Sequence, residues 1–438
     1  MQLARLKEFR QAAYQYLCRA HDATFELTDA ILLTRNPYCL ADLSLGPVFR
    51  RKWPSIYESL QDSRPQRRKL MQLYIKHIPT DIRPILVIDH TSWSHPDAVT
   101  LQERTIEHQP TTIPGNRPIT VGQGYSTIAW IPESEGTWAL PWRHKRITSW
   151  ESPIDKAVWQ LRQVCYDLPT RPIVLVDSEY GCAPFVRKTA DIKADKLMRL
   201  RSNLCVWAAP PAYAGKGCPR KHGNKFKLKD SSTWSEAKES LEIEEHQLGR
   251  VRISLWPDLH FQATAFHPMQ LIRVERLERN YLQKNCKPLW LAWVGEEMPN
   301  LSSIWRLYLR RFTIDQWYRF IKQRLHWTLP KLKTPKQCER WSDLMPLMTW
   351  ELWLAREVVA DNPLQGQKSM VKLTPGRVAQ SIGGVLAAIG TPACVPKTRG
   401  KSPGWPQGKP RQQRTRYPIV KKRVSRAKKT VSYTNFLK

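Results

Sequence analysis

Two apolar runs with the same ending organise this chain. Pro84-Ile85-Leu86-Val87-Ile88-Asp89 and Pro172-Ile173-Val174-Leu175-Val176-Asp177 are short and rich in branched residues. Runs of that kind form buried strands rather than core helices. Between them the pattern predicts two more strands, about Ile119 to Ile131 and Thr137 to Trp142, joined by a turn at Pro132-Glu133-Ser134-Glu135-Gly136. An amphipathic helix follows from about Pro153 to Asp167, another helix starts near Cys182, and Lys196 to Arg201 reads as one more strand. The order is strand, strand, strand, helix, strand, helix, strand. This is an α/β arrangement: a mixed sheet with a hairpin and then crossovers, in which the two Asp-ended strands lie side by side.

The flanks have other textures. Residues 1–80 read as helical: Leu3, Leu6, Phe9 and Tyr14 recur at roughly helical spacing, and Trp53 to Ile78 is helical with a basic face. Arg50, Arg51, Lys52, Arg64, Arg67, Arg68 and Lys69 make this part a DNA-binding candidate, against the plainer reading of a packing domain with a solvated basic face. Residues 81–201 hold the strands above. Residues 202–288 open with Pro210-Pro211 and a Gly/Lys-rich loop and continue in short alternating segments, a mostly β insertion. Residues 289–360 return with the strand Leu289-Trp290-Leu291-Ala292-Trp293-Val294 and a long helical region broken near Pro330 and Pro335. Residues 361–438 read as a basic, largely disordered tail.

Charge turns this outline toward a partner. Lys and Arg number 70 against 38 Asp and Glu, for a net charge of +32. From Lys397 to Lys438 there are 14 Lys and Arg and no acid, so the rest of the chain still carries +18. Such a surplus repels itself unless a polyanion neutralises it, and nucleic acid is the natural one. The 19 Trp are expected mainly to pack. The nine Cys show no Cys-x-x-Cys, the N-terminus has no signal-peptide pattern, and no apolar run reaches membrane-spanning length. Together these predict a cytoplasmic protein with free thiols and no membrane partner. Cys205, Cys218 and His222 come nearest to a zinc pattern but lack a fourth ligand at a familiar spacing.

The chemistry rests on Asp89 and Asp177. On neighbouring strands their carboxylates share one small volume, where they repel unless a cation intervenes. Hard oxygen donors suit Mg²⁺ or Mn²⁺, and two such ions can serve phosphodiester cleavage. The plainer reading is that each Asp caps a strand end. A helix from about Trp305 to Leu325 offers a third carboxylate: at 100° per residue Tyr308, Arg311, Asp315 and Lys322 fall within roughly 60° of arc. Asp315 would bind metal while Arg311 and Lys322 hold phosphates. The competing reading is a solvent face with an Arg311–Asp315 ion pair.

These motifs together resemble the bacterial insertion-sequence DDE transposases with an RNase H-like core and a β-rich insertion. The spacing Tyr308, Arg311, Asp315, Lys322 is similar to the family's Tyr-Arg-Glu-Lys helix. Leu86-Val87-Ile88-Asp89-His90-Thr91 and Val174-Leu175-Val176-Asp177-Ser178-Glu179-Tyr180-Gly181 resemble its first and second acid strands, and Arg199-Leu200-Arg201-Ser202-Asn203 the turn before its insertion. The basic tail resembles that of cyanobacterial members. The resemblance implies catalytic and metal-holding roles for Asp89, Asp177 and Asp315, and DNA contacts for Tyr308, Arg311, Lys322 and Arg201. It implies two Mg²⁺ or Mn²⁺ ions, hydrolysis at the element's ends and strand transfer into target DNA. The implied partners are double-stranded DNA, as terminal inverted repeats and target, and a second copy of the chain on that DNA, in the bacterial nucleoid.

The family has Glu where this chain has Asp315, one methylene shorter. Three readings stay open: a working Asp315, replacement by Glu296 or Glu297, or an inactive, transposase-derived DNA-binding protein. An RNase H-like nuclease acting on RNA is a further alternative. His90 reads as a strand-end histidine, and Trp207, Trp317 and Tyr318 as core residues before they read as base-stacking ones.

Overall fold

The computed structural model describes residues 2–108, 118–213, 215, 217–246, 249–277, 287–398, 404, 406–410 and 412–422. Four helices come first: α1 (Gln2–Leu17), α2 (His21–Leu33), α3 (Pro54–Asp62) and α4 (Arg67–Ile75). The basic stretch from Trp53 is thus two helices, broken around Pro65, which has no N–H to continue α3. Much of the charge from Arg50 to Lys69 is already engaged. Arg50 and Arg51 pair with the buried Glu26, Arg67 with Asp343, and Arg68 with Asp167.

The strands follow as β1 (Ile85–Ser94), β2 (Thr105–His108), β3 (Ile119–Trp130) and β4 (Leu140–Ile147). Then come α5 (Pro153–Asp167), β5 (Ile173–Val176), α6 (Ala183–Lys188) and β6 (Asp195–Leu200). The α5 boundaries match the expectation because both ends are written locally. Ser152 accepts the Asp155 N–H at 3.1 Å, the Asp155 carboxylate returns to the Ser152 N–H, and Pro153 occupies the first turn. The short β2 escaped the sequence reading, and β4 runs later than Thr137 to Trp142.

The remaining elements are β7 (Cys205–Trp207), β8 (Lys225–Lys227), β9 (Glu239–Glu245), β10 (Gly249–Leu259), β11 (Met269–Arg276), β12 (Leu289–Val294), α7 (Ile304–Leu309), α8 (Thr313–Gln323), α9 (Pro335–Ala355) and α10 (Pro375–Ile389). A 3₁₀ turn at Arg310–Phe312 splits the expected single helix into α7 and α8.

Ten strands form one mixed sheet in the order β2-β3-β1-β5-β6-β12-β11-β10-β9, with β4 also on β3. β1, β5 and β6 are parallel, and the other pairings are antiparallel. β2 and β4 share the outer edge of β3. A mixed sheet with flanking helices is consistent with the RNase H-like expectation. Within residues 202–288, β7 and β8 pair separately while β9, β10 and β11 continue the main sheet through β12.

Helix α9 lies between the sheet and the N-terminal helices, touching β4 on one side and α1, α3 and α10 on the others. The core is continuous from Leu6 in α1 to Leu386 in α10. Trp93, Trp138, Trp293, Trp317, Trp327, Trp341 and Trp350 are fully buried in it, as the packing role assigned to tryptophan requires.

The tail differs most from its reading. Residues 375–389 form α10, capped by Thr374 and packed on α2 and α9. Further on, Tyr417 N–H bonds Val99 O at 2.8 Å, Val420 N–H bonds Arg104 O at 2.8 Å, and Val420 bridges Thr105 at the start of β2. Lys422 then pairs with Glu107 at 2.8 Å. The excess of Lys and Arg predicts disorder here, but apolar spacing in α10 and backbone pairing along a strap at residues 417–422 fix these parts. Residues 423–438 lie outside the described residues. Among the described residues no helix is long and apolar enough to cross a membrane.

Candidate active site

Asp89 does not end its strand. β1 runs on to Ser94, so Asp89 is mid-strand, opposite Thr127 of β3. On its other side the parallel register places Ile88 beside Val176, which brings Asp89 level with Asp177, the first residue after β5. Asp177 is held by its own turn: its Oδ1 accepts the Glu179 N–H at 2.9 Å, and its carbonyl accepts the N–H of Tyr180 and of Gly181. Gly181 is required here for space. A Cβ at this position would lie 2.0 Å from the Arg199 carbonyl oxygen on β6.

The third acid arrives on α8. Arg311 Nη1 donates to Asp89 Oδ2 at 3.0 Å, and Nη2 lies 3.4 Å from Asp315 Oδ2. One guanidinium therefore links the two acids. Asp89 is buried at 8% exposure, whereas the Asp315 side chain is 51% exposed. Helix α8 is pinned to the sheet by Tyr318 OH donating to Thr127 Oγ1 at 2.9 Å and by Lys322 Nζ donating to Thr91 Oγ1 at 2.8 Å. Thr127 Oγ1 also meets His144 Nδ1 at 2.8 Å. Burial and the nearby Lys145 and Lys322 keep His144 neutral, its pKa well below the usual imidazole value. Tyr318 and Trp317 are buried and hydrogen-bonded in this core.

Burial drives the Asp89 carboxyl up to about 6, with Asp177 adding to the rise and Arg311 opposing it. Asp315 is raised in the same way, by burial and then by the charge of Asp177. Asp89 and Asp315 thus both feel Asp177. Burial lowers the Lys322 ammonium and raises the Tyr308 phenol. The Tyr308 hydroxyl and Arg311 Nε are buried with no hydrogen-bond partner among the described residues.

The other expected residues fall on two opposite edges. β6 is parallel to β5, so Arg201, just past Leu200, sits on the same edge as Asp177, and it is exposed. Glu296 and Glu297 follow β12, which runs antiparallel to β6, with Val294 level with Lys196. Glu296 N–H bonds Asp195, and its carboxylate pairs with Arg171. Asp195 is level with Ile173, at the start of β5. Four residues of strand, roughly 13 Å, separate that edge from Asp177. Strand direction thus rules out Glu296 and Glu297 as replacements for Asp315. The Cys205, Cys218 and His222 trio is not brought together either: His222 Nδ1 meets His260 Nε2 at 2.9 Å, while Cys218 Sγ lies 3.8 Å from Pro219 O.

Sequence reading missed a small cluster beside the acids. His90 Nδ1 lies 3.3 Å from Tyr180 OH, and His90 Nε2 lies 3.6 Å from Glu179 Oε2. The motifs containing all three were visible, but their meeting depends on the β1–β5 register.

A sequence model described as DDE superfamily endonuclease matches residues 14–260, more than half of the chain. The chain belongs to the DDE superfamily endonucleases. The matched stretch includes Asp89 and Asp177, and α8 with Asp315 lies beyond it. No curated protein matches the chain. DDE superfamily nucleases generally use divalent ions such as Mg²⁺, so the residues of this endonuclease have to be tested against that group. Two adjacent carboxylates, one of them buried and pushed up partly by the other, are the donor set that a hard cation relieves. Among the described residues no three metal-ligating side chains converge, because Asp315 faces Arg311. The donor pair that fits is therefore Asp89 and Asp177, while Asp315 is paired with Arg311.

One consequence is measurable without metal. The Asp89 pKa is raised above its unfolded value, so the folded endonuclease binds this proton more tightly. Stability at this site is then lost as the pH rises from about 4 to about 6, by on the order of 3 kcal/mol. Urea unfolding in chelator is expected to show this decline in wild type and a flatter profile in Asp89→Asn. Equal slopes in both proteins would place the titration elsewhere.

Proposed function

We propose that this endonuclease is the DNA transposase of an insertion sequence, cutting at the element's ends and joining the freed 3′ ends to target DNA. The observation that carries this reading is Asp89 level with Asp177 on neighbouring parallel strands, with Arg311 of the 3₁₀ turn bonded to Asp89 and paired with Asp315 of α8. Asp89, Asp177 and Asp315 would hold the divalent ions, Mg²⁺ or Mn²⁺, which when bound stabilise charge on the attacking and leaving oxygens. Arg311, Lys322 and Arg201 would hold phosphates, and the unpartnered Tyr308 hydroxyl would donate to one of them. The phosphate lets Arg311 release Asp315. Residues 1–80 would contribute to recognition of the terminal repeats, and two copies would bring paired ends together. The Tyr308, Arg311, Asp315, Lys322 spacing and the basic tail support the cyanobacterial-type assignment, with Asp in place of Glu.

A second reading is a DNA-binding protein that has lost catalysis. Arg311 seated between Asp89 and Asp315 favours it. Incubation of the protein with linear duplex carrying the element's own ends, in Mg²⁺, Mn²⁺ or chelator, separates the two. The transposase reading expects metal-dependent products with 3′-hydroxyl ends and, with added target, joined molecules. Binding without cutting in either metal would leave the second reading standing.

A further inference from the structure

Away from the acids, a cleft of about 670 Å³ opens between the α3–α4 connection and the start of α9. Its walls are built firmly. Thr334 accepts the Gln337 N–H at 3.2 Å, and the Gln337 side chain returns to the Lys333 and Thr334 N–H groups. Arg340 reaches across to Leu60 O at 2.9 Å and to Gln61 O, and Arg67 Nε bonds Asp343 at 2.7 Å.

The lining carries five cations, Arg64, Arg67, Lys333, Lys336 and Arg340, and one carboxylate, Glu339. Glu339 is already bound by Arg146 at 2.9 Å, with Arg67 at 3.8 Å. Lys333 and Lys336 are exposed, and their ammonium groups have no hydrogen-bond or ion-pair partner among the described residues. The N-terminal end of the 21-residue α9 adds to the positive potential. Arg64 and Arg67 also oppose the charge on Arg340, though burial is the larger cause of its lowered pKa.

The cleft lies on the active-site edge of the sheet. Lys322 of α8 reaches Thr91, Thr91 is level with Tyr125 of β3, and Tyr125 is level with Arg146 of β4, which holds Glu339. Strand spacings put this wall roughly 20 Å from Asp89, on the order of six base steps along a duplex.

We propose that this cleft grips the phosphate backbone of the duplex flanking the cut, a second contact separate from the acids. The proposal rests on the DNA reading above, and its test uses binding rather than cleavage. Equilibrium binding to a linear duplex is measured as a function of salt for wild type, Lys333→Ala/Lys336→Ala, and the charge-matched Lys193→Ala/Lys238→Ala. Lys193 precedes β6 on the opposite edge and Lys238 precedes β9 on the far flank, and both are exposed.

Two lost phosphate contacts lower the slope of log K against log salt by about 1.8 and weaken binding by about 10- to 50-fold near 0.1 M salt. The charge-matched variant is expected to keep the wild-type slope. Both ammonium groups are exposed and without a partner among the described residues, so unchanged melting is the check on folding. An unchanged slope in the cleft variant, or an equal drop in both variants, overturns the cleft proposal while the DNA reading stands. Failure of wild type to bind duplex at any salt defeats the DNA reading itself.

Discussion

Alanine at Asp89 or at Asp177 is expected to abolish cutting of linear duplex, by at least about 10³-fold, while leaving duplex binding within about threefold. Losing a single preorganised electrostatic group costs about 10²–10³ in rate, and losing a carboxylate that holds a metal removes the ion's contribution as well. Binding is spared because phosphate contacts by cations dominate it, and removing an acid makes the surface no less positive. Cleavage of end-bearing duplex in Mg²⁺ or Mn²⁺, with a binding assay on the same preparations, reads both quantities. Asp315→Ala is expected to fall as far, and Asp315→Glu to retain cutting, since it keeps a carboxylate there on a side chain one methylene longer. Full activity in Asp315→Ala would remove Asp315 from the set. Strand direction has excluded Glu296 and Glu297, so attention would pass to Glu179, two residues from Asp177 and 3.6 Å from His90. Wild-type cutting by Asp89→Ala would sink the catalytic assignment altogether.

The second large effect concerns stability. Arg10 of α1 makes a bidentate pair with Asp29 of α2, at 2.9 and 3.0 Å, and also bonds Glu351 of α9. Their exposures are 2%, 4% and 1%, so one cation neutralises two acids inside a three-helix junction. Burial already raises the Asp29 pKa with Arg10 in place. Arg10→Met leaves both carboxylates uncompensated and is expected to cost about 3–5 kcal/mol. The loss should be largest near neutral pH and shrink on acidification, because the folded variant takes up protons that the unfolded chain releases. Urea unfolding followed by tryptophan fluorescence measures it, and Arg10→Met/Asp29→Asn/Glu351→Gln should recover most of the loss. A cost below about 1 kcal/mol for Arg10→Met would mean that these charges do not hold the junction.

The sequence made the centre of the sheet legible because the information there is local. Ile85–Ile88 and Ile173–Val176 are apolar on every residue, and α5 carries its cap and proline in adjacent positions. The two acids could be paired because parallel strands joined by a crossover are neighbours. What stayed hidden depends on non-local pairing. β2 is four residues with no apolar run, and it exists by pairing with β3. The edge on which Glu296 lies follows from the direction of β12, which periodicity does not encode. The cleft required α9 to fold back against Arg64, more than 260 residues earlier in the chain. Composition hides α10 and the strap, because it averages over segments where a few apolar positions and backbone hydrogen bonds outweigh the surrounding charge.

The two ends of the sheet are finished differently, and this bears on how the protein behaves at high concentration. At β2 the strap around Val420 takes up part of the open strand edge. At β9 no strap is present among the described residues, but Glu239, Glu242, Glu244 and Glu245 stand within seven residues of edge strand. A second β9 laid alongside would set glutamates against glutamates, which blocks edge-to-edge growth. Cutting the chain before Tyr417 would open the β2 margin while leaving β9 guarded. Aggregation of such a truncated protein would then begin at one end of the sheet, and lysine or proline placed in β2 would be the remedy.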